Sequence, residues 1–172
     1  MYPRHAWVEI DSAAIARNVR TLKALTSPGT AFMAVVKADG YGHGAQVAAR
    51  AALGAGADRL GVATVDEAVA LREAGITVPV HLLAEPPIET AADVLEHRLI
   101  PSVTTLEFAE ALGCAASSAG TTATIHIKVD TGMTRLGVPW ESVSAFLHTI
   151  GTFEGLRMEG IFSHLAVADE PD

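Results

Sequence analysis

The chain has 172 residues, 49% of them apolar, a net charge of −8, and no run of lysine or arginine. That length suits one domain with a sizeable core, and that charge makes nucleic acid and anionic membrane surfaces poor partners. A single cysteine, Cys114, excludes an internal disulfide and any multi-cysteine metal site, and is expected as a small core residue.

The start, Met1-Tyr2-Pro3-Arg4-His5, leads into alternation rather than an apolar signal segment, and no apolar run approaches the ~20 residues of a membrane span. A cytoplasmic protein is expected. Trp7-Val8-Glu9-Ile10 alternates like a half-buried strand. Asp11 or Ser12 then caps a helix whose Ile15, Val19, Leu22 and Leu25 recur at helical spacing. After Ser27-Pro28-Gly29 comes Phe32-Met33-Ala34-Val35-Val36, a buried strand that runs into Lys37 and the tight-turn pair Asp39-Gly40.

The theme then repeats. Residues 45–54 form an Ala-rich helix and Leu60–Ala63 a short strand. Thr64 caps a helix with Asp66 and Glu67 in its first turn, and Gly75 ends it. Val78–Leu83 is the next strand, Pro87 opens a helix, and Leu99–Val103 is a strand. Leu106–Ala115 is a helix, Thr124–Asp130 a strand, Glu141–Ile150 a helix and Met158–His164 a last strand. Six strands in βα alternation imply a parallel sheet with right-handed crossovers. An open doubly wound sheet and a (β/α)₈ barrel both fit that order. A barrel needs eight strands and typically ~250 residues, so the count alone favours an open sheet or an incomplete barrel.

In either architecture ligands collect at the carboxyl ends of the strands, where Lys37 stands. Burial of an ammonium disfavours its charged form, and a neutral amine can form an imine with an aldehyde or ketone. The competing reading is a lysine that snorkels to solvent above an ordinary loop. In Ile125-His126-Ile127-Lys128-Val129-Asp130 the apolar residues share one strand face, and His126, Lys128 and Asp130 share the other. Such a polar face suits a ligand-bearing barrel interior or the solvated side of an edge strand. Thr131-Gly132-Met133-Thr134-Arg135-Leu136-Gly137 presents an arginine suited to an anionic oxygen, or a surface arginine in a turn. His164 ends the last strand. His43, His81 and His126 show no compact ligand spacing, which argues against a metal site.

Four segments resemble the N-terminal part of alanine racemase, a fold-type III pyridoxal-phosphate (PLP) enzyme: VEID (8–11), AVVKADGYGHGA (34–45), KVDTGMTRLG (128–137) and GIFSHLAVAD (160–169). They cover nearly the whole chain. The resemblance implies an incomplete TIM-type (β/α)₈ barrel over residues 1–172, with about six of eight strands and without the family's C-terminal β domain. It also implies that the strand in residues 1–11 pairs with that domain.

By the same resemblance, Lys37 holds PLP as an internal aldimine and, once freed, is a general base at the substrate Cα. Tyr41 contacts the cofactor phosphate, Leu83 packs near the ring, and His164 lies beside the pyridine. Arg135 serves the cofactor's phenolic oxygen and the substrate carboxylate, and Met133 lies by the substrate pocket. Lys128 is a possible carbamylation site that orients Arg135. Thr134 stands where many members have glycine. The implied reaction of the complete parent is interconversion of L- and D-alanine for bacterial cell-wall synthesis, by a homodimer. The second base would be a tyrosine from the partner subunit's C-terminal domain, a role neither Tyr2 nor Tyr41 fits, so the isolated chain is expected to be inactive. A non-catalytic PLP-carrier barrel and a racemase of another small amino acid, such as serine, are the alternatives.

Overall fold

Strands followed by helices give this chain its repeating unit. The computed structural model describes residues 6–168 and 170. In chain order the elements are α1 (Ser12–Lys23), β1 (Met33–Val35), α2 (Lys37–Tyr41), α3 (Ala45–Gly54), β2 (Arg59–Val62), α4 (Val65–Glu73) and β3 (Val80–Leu82). Then follow α5 (Ala91–Glu96), β4 (Ile100–Val103), α6 (Leu106–Ser118), β5 (Ala123–Asp130), β6 (Val138–Pro139), α7 (Val143–Ile150) and β7 (Leu156–Ser163). Short 3₁₀ turns, Ile88–Thr90 and Trp140–Ser142, lead into α5 and α7.

Every strand pairing is parallel. The sheet runs β1-β2-β3-β4-β5, with β7 along β5 and the two-residue β6 at the carboxyl end of β5. Four strand steps separate β2 from β7, about 19 Å across a flat sheet. Yet Arg59 Nη1 of β2 lies 3.0 Å from Glu159 Oε2 of β7. The sheet is therefore strongly curled around an interior, as an incomplete barrel requires.

The outer face of the strands meets the helices. Leu60, Val62, Val80, Leu82, Val103, Ile125 and Ile127 are at most 1% exposed and pack with Leu71, Val94, Phe108 and Leu112. Cap chemistry fixes where α1, α4 and α6 begin. Asp11 accepts the amide of Ala14 ahead of α1, and Thr105 that of Phe108 ahead of α6. Gly75 takes φ +80° just after α4, a conformation that costs other residues a Cβ clash. Gly113 on α6 admits β7 closely: a Cβ there would lie 2.6 Å from the carbonyl oxygen of Glu154.

Four expectations are corrected. Trp7–Ile10 is not a strand, and Trp7 and Val8 are exposed; a strand needs a ladder partner, and none faces it among the described residues. The buried strand Phe32–Val36 is only Met33–Val35 and partly exposed, because β1 pairs with β2 alone. Cys114 is exposed, since α6 turns Phe108, Ala109, Leu112, Gly113 and Ala116 inward and Cys114 falls on its outer side. The turn after Lys37 is not a tight β-turn but a left-handed coil, described below. Tyr2 and Asp169, the last residue of the GIFSHLAVAD segment, lie outside the described residues.

Candidate active site

The strands deliver their carboxyl ends to one mouth. Lys37 follows β1 after a single residue, Val36, and is half-buried rather than buried. Beyond it the backbone winds left-handed through Ala38 (φ 51°), Asp39 (φ 52°), Gly40 (φ 63°) and Tyr41 (φ 54°). Each L-residue in that region costs roughly 1–2 kcal/mol, so the turn persists only because its surroundings hold it. Asp39 Oδ1 accepts the amide of Ala45 at 2.7 Å and so starts α3. Gly40 presses against that helix, where a Cβ would sit 3.1 Å from that of Ala48. The turn brings the Tyr41 ring back over the lysine, with Lys37 Nζ 5.9 Å from its centroid.

Strand β5 contributes the second cation. The period-2 reading of that strand holds: Ile125 and Ile127 face the helices, while His126 and Lys128 face the interior. Lys128 is 5% exposed and donates from Nζ to the Leu83 carbonyl at 2.9 Å, with the Phe162 ring 5.6 Å away. Burial, then the charges of Arg135 and Lys37, push its ammonium below the usual lysine range. Lys37, Lys128 and Arg135 thus share one electrostatic neighbourhood, and among the described residues none of them makes an ion pair.

The loop that carries Arg135 is built on Asp130. Its Oδ1 accepts the amides of Gly132 and Thr134, each at 2.9 Å, and those bonds hold its carboxyl below the usual carboxylate range. Thr134 sits at φ +56°, which explains why glycine suits this position. Gly137 closes the loop at φ +144°, where a Cβ would lie 2.5 Å from the amide nitrogen of Asp130. Arg135 itself is exposed and Met133 half-buried. Thr131 and Ser163 hydroxyls bond to each other, tying this loop to the end of β7, and His164 follows there, exposed.

Deeper in the interior lies a cluster that sequence spacing does not reveal. His81 on β3 and His126 on β5 meet edge to face at 4.6 Å between ring centroids. His126 Nε2 is 3.1 Å from Glu159 Oε2, and Arg59 Nη1 contacts both Glu159 (3.0 Å) and His81 Nε2 (3.2 Å). Gly160 makes room for the His126 ring, which would lie 2.8 Å from a Cβ there. The His81, His126 and Glu159 ligand atoms lie within 4.8 Å of one another, but the Arg59 guanidinium occupies the place a cation would take. The pattern is visible only once β2, β3, β5 and β7 are curled together.

Burial, then the charges of His126 and Arg59, lower the His81 pKa from 6.5 to about 4. The unfolded chain therefore binds the extra proton between those values, so the stabilisation is complete above pH 6.5 and is lost as pH falls towards 4. The shift corresponds to about 3 kcal/mol at most. Glu159, held below the usual carboxylate range by Arg59 and His126, adds loss of the same sign at the acid end. Urea titrations at pH 7, 5.5 and 4 are expected to show a shallower pH dependence in His81→Gln than in the native chain. Parallel slopes would place the acid sensitivity elsewhere.

Fold and mouth together define a class: an incomplete parallel βα barrel that presents a lysine amine and two further cations at the carboxyl ends of its strands. The chain belongs to the alanine racemase family; the family model for the alanine racemase N-terminal domain matches residues 10–172. It is 46% identical to the alanine racemase of Desulfovibrio desulfuricans over 99% of this chain and 46% of that protein. The alanine racemase structure from Clostridium difficile 630 superposes with a TM-score of 0.92 at 34% identity, covering all of this chain and 48% of that one. A histidine racemase from Leuconostoc mesenteroides gives 0.90 at 30% identity over 98% of this chain and 45% of that one. The chain spans about half the length of the curated relatives it matches. Among the described residues no helix is long and apolar enough to cross a membrane.

Proposed function

We propose that this chain is the lysine-bearing barrel portion of a cytoplasmic, PLP-dependent alanine racemase that acts as a homodimer. The observation that carries the reading is the mouth itself: a half-buried primary amine under the Tyr41 ring, beside a buried lysine and an arginine. That donor set fits PLP, which combines an aldehyde for the amine with anionic phosphate and phenolate oxygens for the cations and hydroxyl. When bound, PLP would spread the electron pair left on the substrate α-carbon into its ring.

The chain's own groups supply the rest. Lys37 Nζ holds the cofactor and moves the α-proton on one face of the substrate. Arg135 takes the substrate carboxylate and the cofactor's phenolic oxygen, and Lys128, the candidate for carbamylation, orients it. Tyr41 binds phosphate through its hydroxyl, Leu83 and His164 flank the ring, and Met133 borders the substrate. A second base must come from outside residues 1–172, so this chain alone is expected to turn over negligibly. A racemase of a different amino acid is the second reading, favoured by the likeness to the histidine racemase; a substrate panel separates the two.

The test is chemical. The chain is incubated with stoichiometric PLP, reduced with borohydride and mapped by mass spectrometry. Modification confined to Lys37 supports the reading, and scattered or absent modification overturns it for this chain.

A further inference from the structure

Glu67 meets the sequence expectation of an acidic residue in the first turn of α4, where it completes a capping box: its amide bonds to Thr64 Oγ1 and its Oε2 accepts from the Thr64 amide, both at 3.3 Å. Those are its longer contacts. Its shorter ones leave the helix. Oε2 accepts the Ala63 amide at 2.7 Å, and Oε1 accepts the Ala38 amide, also at 2.7 Å, from a residue 29 positions away. Hydrogen bonds to an ionised carboxylate at such distances are about twice as strong as neutral ones. The helix cap is thus the lesser part of what this side chain holds.

Ala38 is the first residue of the left-handed coil and the neighbour of Lys37. On the other side of the lysine, the Val36 amide closes the last ladder bond to Gly61 at 2.8 Å. Lys37 is therefore held between the β2 ladder and a carboxylate of α4. The remaining bonds of the coil (Gly40 to Val36, Gly42 to Ala38, Gly44 to Asp39) and the Asp39 bond to Ala45 all stay within residues 36–45. They close the coil on itself and on α3. Glu67 alone, among the described side chains, bonds its backbone to α4 and hence to the next βα unit.

We propose that Glu67 is a positioning residue for Lys37: by accepting the Ala38 amide it fixes the strained left-handed coil against α4 and sets where the lysine amine points. The inference deepens the PLP reading and rests on it for the role of that amine, but the coil's attachment can be measured without any cofactor.

Glu67→Gln keeps the size of the side chain but replaces one acceptor oxygen with an NH₂ group. The Ala38 amide then faces either a donor or a neutral amide oxygen, so its charge-assisted bond is lost in both orientations of the new side chain. Thr64→Ala removes the helix-cap hydroxyl and leaves the Ala38 bond intact. Amide exchange followed by NMR is expected to be roughly tenfold or more faster at Ala38 in Glu67→Gln, the loss of one charge-assisted bond, and unchanged in Thr64→Ala. In the PLP–borohydride experiment, modification is expected to spread away from Lys37 in Glu67→Gln and to stay there in Thr64→Ala. Equal effects of the two substitutions, unchanged exchange at Ala38, or faster exchange with modification still confined to Lys37 would each overturn the proposal. Should Glu67→Gln fail to fold, the native chain decides: Ala38 exchanging like an unstructured peptide overturns the proposal, and protection supports it. If the native chain is not modified at Lys37 at all, the PLP reading fails, while Ala38 exchange still reports on Glu67.

Discussion

Replacing Lys37 with alanine is expected to lower racemisation by roughly 10⁴-fold or more in a chimera that joins residues 1–172 to the remaining portion of the Desulfovibrio desulfuricans relative, as loss of a principal catalytic group typically does. The two roles proposed for this side chain, covalent attachment and proton transfer at the α-carbon, both end with the amine. The substitution leaves the fold alone, because the side chain is half-buried and its backbone is held through Val36 and Ala38. A drop confined to the chemical step, with partial recovery when a small primary amine is added, separates a lost amine from a damaged barrel. A chimera that retains most of its activity without Lys37 would remove the foundation of the proposed function.

Phe108→Ala should be the most damaging single truncation of the outer layer. Phe108 is the largest of the fully buried side chains, at 0% exposure on α6, and belongs to the cluster that joins the helices to β4 and β5. Deleting a buried phenyl ring costs about 3–5 kcal/mol, against a total stability of about 5–15 kcal/mol for a typical domain. With a urea slope of about 1–3 kcal/mol per molar, the midpoint should fall by between about 1 and 5 M. Phe108→Leu, which keeps most of the volume, should lose much less. A loss below about 1 kcal/mol for the alanine variant would mean that α6 is not packed on the strands as described.

Much of the fold was legible because caps and apolar runs mark the same boundaries. Thr64, Gly75 and the run 45–54 fall where the structure begins and ends α4 and forms α3. The alternation in β5 identified its interior face correctly, since one buried and one polar face survive whatever the closure. Curvature was not legible: whether six parallel strands open or curl depends on contacts such as Arg59 with Glu159, a hundred residues apart. For the same reason the His81, His126, Glu159 and Arg59 cluster could not be seen in local spacing. Glu67 was read only as a first-turn acidic residue, because its bond to Ala38 joins two separate βα units. Trp7–Ile10 is the converse case: alternation records a strand's amphipathic character, but a strand forms only against a neighbour, and none faces it among the described residues.

The left-handed coil has a stereochemical consequence. Ala38, Asp39 and Tyr41 occupy the basin that mirror-image residues prefer, so their own chirality opposes the shape they adopt. Glycine at 38 would relieve that opposition but would also enlarge the freedom of the unfolded chain, which offsets part of the gain. A D-residue introduced there by chemical synthesis would relieve it without that penalty. The segment beside the lysine is thus one that ordinary mutation relaxes only in part.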